Sequence, residues 1–358
     1  MELLVLIGRF LSVLAVLVLV HEFGHFFVAK AFGIRVMEFG FGFPPRLIGL
    51  RRGETLYSVN LIPLGGFVKL VGEEDPTDPG SLASRNVAQR MLVLSAGSFM
   101  NLVLAVVLFT IVFMVPAEGL VSRVSIEHVE PESPAAIAGL RSGDVILRVD
   151  DRPILNSRDL LYRVYLRLGS ESEWIYQRVN ASESNVIGEV TLFPRWDWPE
   201  GEGPTGIVVR EINPRVTVRS EPFTEAVPHA FRQTWENLVL LRIEVGRWIT
   251  GVSRPQLAGP IGIAQITDEV AEVGFLPLLS LIATLSLTLA VLNILPFPML
   301  DGGRVVFVLI EWIRRGKRIS AKWEGFVHLV GFAVMMTFVM IISYQDIIRI
   351  VRGDRFLP

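Results

Sequence analysis

Residues 3–28 read LLVLIGRFLSVLAVLVLVHEFGHFFV, an apolar run interrupted near its end by His21-Glu22-Phe23-Gly24-His25. The run exceeds the roughly 20 residues that a helix needs to cross a hydrocarbon core of about 30 Å. In a helix, two histidines four residues apart are separated by about 400° of rotation, so both imidazoles leave one face, one turn apart. From there both reach a single ion, and Glu22 beside them is placed to act as a general base rather than as a ligand. Two histidines and a glutamate in one turn of a hydrophobic span are expensive to bury and mark a functional site. The run reads as a retained span rather than a cleaved signal peptide. Glu2 precedes any Lys or Arg, and no small-residue cleavage site follows a short apolar stretch.

Three further runs have the same character, at 91–115, 275–300 and 326–343. Of the 358 residues 51% are hydrophobic and only 20% charged, against about 25% charged in an ordinary soluble domain. A net charge of −2 gives no basic field for nucleic acid. The absence of Cys excludes disulfides, thiolate metal sites and cysteine nucleophiles. The five His residues are the nitrogen donors left for a transition metal.

These features predict a polytopic α-helical membrane protein with four transmembrane helices, a membrane-associated β-hairpin region and an inserted β-rich domain. The expected organisation is a first span at 1–30 and a 31–90 segment on the cytoplasmic side with a re-entrant β-hairpin. A second span at 91–115 leads to a β-rich domain at 116–215, then an amphipathic surface helix and linker at 216–274. A third span at 275–300, a cytoplasmic loop at 301–325, a fourth span at 326–345 and a tail at 346–358 complete the chain. Lys and Arg cluster in 29–90 and 301–325, which places both on the cytoplasmic side and both termini and 116–274 outside. Thr55–Leu61 alternates and Pro63–Leu70 follows it, which suggests a hairpin. The stretch 73–80 reads as a solvated linker. For 222–262, apolar and basic positions at near-helical spacing fit a helix on the membrane surface or, equally, one packed on the β-rich domain.

Within the β-rich domain, 124–129 and 144–149 read as strands, 134–138 as a short helix, and Asn156 or Ser157 as the cap of a helix to about Leu168. The string SPAAIAGLRSGDVILRVDDRPI (133–154) resembles the core of bacterial PDZ domains. That resemblance implies a peptide groove between the strand near 124–129 and the helix near 157–168, taking a peptide C-terminus by strand addition.

A hydrolytic zinc site usually has three protein ligands, so one ligand must come from outside the first span. Asp301, after the proline- and glycine-broken stretch Asn293–Gly303, and His328 in the fourth span are both at a suitable depth. The residues alone favour neither strongly.

The HExxH string at 21–25, Asn293-Ile294-Leu295-Pro296-Phe297-Pro298-Met299-Leu300-Asp301-Gly302-Gly303 and the PDZ-like insert together resemble the site-2 protease family of intramembrane metalloproteases. Pro63–Leu70, Gly259–Ala264 and Ala96-Gly97 with Asn101 also resemble segments of that family, and Ser98 departs from its usual proline. The resemblance covers essentially the whole chain. It implies Zn2+ held by His21, His25 and Asp301, Glu22 as general base, and Asn293 near the substrate backbone. It also implies that the hairpin near 55–70 pairs with unwound substrate as an edge strand, with Ser58, Val59 and Asn60 as substrate-binding residues. The implied partners are transmembrane-helix proteins, such as anti-sigma factors or remnant signal peptides, and the lipid bilayer, in a bacterial cytoplasmic membrane. The rival readings are a non-catalytic PDZ scaffold, which leaves the buried His/Glu turn unexplained, and a metal transporter. A transporter would need a polar path, which the small polar groups of 91–115 do not supply.

Overall fold

The computed structural model describes residues 2–353 except 74, 76, 180–184 and 256. Parts of the expected 73–80 linker and of the expected tail therefore lie outside the described residues. Contacts divide the chain into two compact units, Met1–Val112 with Gln256–Pro358, and Phe113–Pro255. In chain order the elements are α1 (Glu2–Ala31), β1 (Val36–Arg52), β2 (Thr55–Leu70) and α2 (Val87–Met114). Then come β3 (Ala117–Val129), α3 (Pro134–Ile137), β4 (Val145–Val149), β5 (Arg152–Pro153), α4 (Ser157–Leu166), β6 (Ser172–Val179), β7 (Asn185–Leu192), β8 (Ile207–Arg219) and α5 (Phe223–Ile249). The last four are α6 (Pro260–Val273), α7 (Phe275–Ile294), α8 (Asp301–Ile313) and α9 (Ala321–Arg352).

Among the described residues α1, α2, α7 and α9 are long and apolar enough to cross a membrane. The chain is thus built as a multi-pass membrane protein with β regions. Helix α7 stops at Ile294 because Pro296 and Pro298 follow, each lacking an N–H and each clashing with a preceding helical turn. The chain turns and a new helix, α8, begins at Asp301. Residues 301–313 are therefore helical where the sequence suggests a loop. Their charged positions, Asp301, Arg304 and Glu311, are spaced among apolar ones, and Val308 is buried.

The segment 216–274 also differs from expectation. It holds two helices that belong to different units. Helix α5 packs in the β-rich unit, where Glu236 accepts from Arg163 at 2.9 Å and Gln233 donates to the Tyr162 hydroxyl at 2.8 Å. Helix α6 belongs to the unit of the spans. Arg9 of α1 donates to Asp268 at 2.6 Å, and the buried Asp346 carboxylate of α9 accepts from the backbone N–H of Gly259 and Gly262, both at 2.9 Å.

Strands β1 and β2 are not a hairpin folded within 55–70. Residues 38–41 run between the two halves of β2: Glu38 pairs with Leu56 and Lys69, Phe39 with Tyr57 and Val68, Gly40 with Ser58 and Phe67, Phe41 with Val59 and Gly66. The far side of 56–60 is then taken by 46–51. This leaves Gly66–Lys69 paired along one edge only among the described residues.

In the β-rich unit the strand order is β7-β6-β4-β3-β8, with β5 beside β4. Val124, Ile126, Ile146, Val149, Leu160, Val164 and Trp174 form its core. The Asn156 side chain caps α4 by accepting from Asp159 N–H at 2.8 Å, and the Ser133 side chain caps α3. Strand β3 pairs with β8 through Val129 and with β4 at Val124 and Ser125, so at these two residues both edges are taken and the side toward α4 is held by β8. The outermost strand adjoining α4 is β8, whose Glu211 carboxylate accepts from the backbone N–H and hydroxyl of Ser157 at 2.9 and 2.6 Å.

Candidate metal centre

The HExxH turn is helical, as its spacing requires, and lies in the last third of α1. His21 Nε2 is 3.0 Å and His25 Nε2 3.2 Å from Asp301 Oδ2, and the two Nε2 atoms are 3.2 Å apart. Ligands held at about 2.0–2.1 Å with tetrahedral angles stand roughly 3.3 Å from one another, so the spacing suits zinc. The chemistry of the donor set points the same way. His25 Nδ1 lies 2.8 Å from the Val93 carbonyl oxygen, which can only accept, so Nδ1 carries a proton and Nε2 is the nitrogen whose lone pair, in the neutral ring, would face Asp301. Lone pairs that converge at this separation repel one another unless a cation lies between them.

Packing from α2 makes the convergence possible. A Cβ on Gly97 would fall 2.4 Å from His25 Nε2 and 2.6 Å from His21 Nε2. Only a residue without a side chain fits under the two rings. Asn101, one turn further along α2 and wholly buried, places Nδ2 3.4 Å from His21 Nδ1. The Ser286 hydroxyl of α7 donates to the Asn101 carbonyl at 2.8 Å.

Asp301 reaches the histidines because the chain turns tightly before it. A Cβ on Gly302 would lie 2.1 Å from the Leu295 carbonyl oxygen, and one on Gly303 2.4 Å from that of Phe297. Met299 adopts φ +87°, and its N–H donates to His328 Nδ1 at 2.8 Å. His328 is thereby engaged with the backbone ahead of Asp301 and packs on Phe307. It does not join the cluster of His21, His25 and Asp301.

A cavity of about 500 Å³ opens at this cluster, lined by Glu22, His25, Asp301, Arg304 and the Gly66–Leu70 stretch of β2. Glu22 is half-buried, and a Cβ on Gly66 would come within 3.1 Å of its Cγ. Arg304, three residues beyond Asp301, donates to Glu73 at 2.9 Å. Asn293 is half-buried near the end of α7 and is not among the residues lining the cavity. Ser58 and Asn60 are buried within the β ribbon, donating to Glu38 at 2.7 Å and to the Gly42 carbonyl at 3.0 Å. Val59 is 46% exposed. Ser58 and Val59 are paired on both sides, with Gly40 and Gly49 and with Phe41 and Ile48, and Asn60 pairs with Arg46. The sequence reading gave no role to the Val93 carbonyl, Gly97 or Asn101. Their i, i+4, i+8 spacing, matching that of the two histidines, is the signal that could have found them.

The model of Peptidase family M50 matches residues 9–338. A protein of Clostridium perfringens provisionally named a zinc metalloprotease is 34% identical over 93% of this chain and 95% of its own length. Zinc metalloprotease RasP of Oceanobacillus iheyensis is 27% identical over 95% of this chain and 98% of its own length, and that of Geobacillus kaustophilus is 26% identical over 94% and 96%. The chain belongs to peptidase family M50, the site-2 protease family, and is a zinc-dependent metalloprotease.

Proposed function

Starting from that membership, we propose that the protein hydrolyses peptide bonds inside the transmembrane segments of other membrane proteins, with His21, His25 and Asp301 holding the metal and Glu22 as general base. The observation that carries the reading is the meeting of three ligand atoms at 3.0–3.2 Å, contributed by an apolar membrane-length helix and by a residue 276 positions after His25. Zinc held there supplies Lewis-acid activation of water and of the scissile carbonyl. Glu22 takes the proton of the attacking water and delivers it to the leaving amine as the C–N bond breaks.

A substrate helix hides its carbonyls in its own hydrogen bonds and must unwind before cleavage. The open edge of Gly66–Lys69, beside Glu22, suits the opened strand, which would pair there by β-augmentation. This edge takes the role that the sequence suggested for Ser58, Val59 and Asn60. Asn293, by the family resemblance, would help hold the substrate backbone. If the β-rich unit works as a PDZ module, the edge of β8 beside α4 is the place where a peptide C-terminus adds. The charge pattern supports an arrangement in a bacterial cytoplasmic membrane with both termini and the β-rich unit outside. Single-span anti-sigma factors and remnant signal peptides are the substrate classes that the resemblance suggests.

The test uses purified protein in detergent, a model transmembrane peptide and a zinc assay. Glu22→Gln is expected to retain zinc and to lose about 10²–10⁴-fold in cleavage rate. Asp301→Ala is expected to lose both. Full-rate cleavage by Glu22→Gln, or a wild-type protein that binds no zinc, would overturn the proposal.

A further inference from the structure

We propose that Asn101 is a positioning residue that holds His21 in the tautomer able to bind metal. The proposal rests on the metal-centre reading above and deepens it. Asn101 is wholly buried, and its Oδ1 has no hydrogen-bond partner among the described residues. Its amide faces His21 Nδ1 at 3.4 Å through Nδ2. The two ends of an amide have nearly the same shape, so a half-turn of the side chain exchanges them without disturbing the packing. Either orientation leaves the far end bare, so the contact with His21 decides between them.

That contact has different consequences in the two orientations. With Nδ2 toward the ring, Nδ1 must accept, and the neutral imidazole then carries its proton on Nε2. A proton there would point at Asp301 Oδ2, 3.0 Å away, and would occupy the lone pair needed for ligation. With Oδ1 toward the ring, Nδ1–H donates to the amide oxygen and Nε2 presents its lone pair to the site. Asn101 in this orientation does for His21 what the Val93 carbonyl does for His25, at 2.8 Å. Metal-ligating histidines are generally fixed in this way through their second nitrogen. The two supports lie eight residues apart on α2, with Gly97 between them under both rings. One helix face therefore orients the whole histidine pair. Of its two hydrogen-bond supports only Asn101 can be altered by substitution, because the other is backbone.

The experiment measures zinc affinity by chelator competition in the purified full chain, beside thermal unfolding of the metal-stripped protein. Asn101→Leu removes the acceptor at similar size and is expected to weaken zinc binding by about 10–100-fold. Asn101→Asp keeps an acceptor and is expected to stay within a few-fold of wild type. Equal weakening in the two variants, or affinity in Asn101→Leu unchanged within twofold, would overturn the proposal. If Asn101→Leu fails to fold, Asn101→Asp decides alone: retained affinity supports the acceptor role and a 10-fold or greater loss refutes it. Failure of the wild type itself to bind zinc would instead sink the metal-centre reading.

Discussion

In the β-rich unit Trp174 and Val124 are 0% exposed, whereas Leu4 of α1 and Met340 of α9 are 75% and 64% exposed, and the buried positions of α2 and α7 include Asn101 and Ser286. The two regions answer to different solvents. Water drives apolar side chains together in the β-rich unit, and the core cluster there is aliphatic and aromatic. Lipid is as apolar as leucine, so it exerts no such drive between spans. The interior of the spans therefore mixes buried apolar side chains such as Leu17, Val93, Phe109 and Leu287 with small residues and polar contacts. Gly97 against both imidazoles and Ser286 against the Asn101 carbonyl are of this kind. A polar site is accommodated there because small residues on the facing helix leave room for it and buried polar groups hold one another.

Substitutions in each region test this contrast. The largest stability effect is expected from Trp174→Ala, at about 3–5 kcal/mol. Hydrogen exchange of the β-rich unit should report it while zinc affinity stays put, and a parallel loss of zinc would show that the two interiors are not energetically separate. Gly97→Ala should do the reverse. Its methyl would press on both imidazoles, weakening zinc at least tenfold, about 1.4 kcal/mol, and leaving exchange in β3–β8 unchanged. Wild-type zinc affinity in this variant would mean that the rings have slack. Asn156→Ala removes the α4 cap and should cost about 1 kcal/mol, seen as faster exchange of the first α4 amides.

The smallest effect is one of pH. The Ser157 hydroxyl and backbone N–H together hold the Glu211 carboxyl below its ordinary value of 4.5. A depressed folded value stabilises above the ordinary one and loses that contribution as pH falls through the depressed one. Protection at the start of α4 should therefore decline below about pH 4.5 in wild type and show no such step in Glu211→Gln. An identical decline in both would remove Glu211 as its cause.

Local features were legible wherever one residue's neighbours in sequence are also its physical environment. The β3, α3, β4 and α4 elements sit within a few residues of where alternation, Ser133-Pro134 and Asn156 point to them. The break after Ile294 follows from Pro296 and Pro298 alone. Strand edges behaved differently. The alternation of 55–61 and 63–70 describes two extended pieces correctly, but no local pattern reveals that 38–41 separates them. The groove that the PDZ resemblance implies beside 124–129 meets the same difficulty. A strand's own sequence does not show that both of its edges are occupied, and β8 arrives from some 80 residues downstream.

Length and apolarity were enough to mark the four membrane-length helices, and helical periodicity, set by the backbone, was enough to put two histidines and a glutamate on one turn. The sequence narrowed the third ligand to Asp301 or His328 and, on spacing alone, went no further. The family resemblance implied Asp301, and the packing of the folded chain gives the physical reason that His328 stands apart. One lies 3.0 Å from His21 and the other accepts a hydrogen bond from Met299. That difference depends on how a proline-broken chain turns over its own carbonyls, which is a matter of packing in three dimensions rather than of order along the chain.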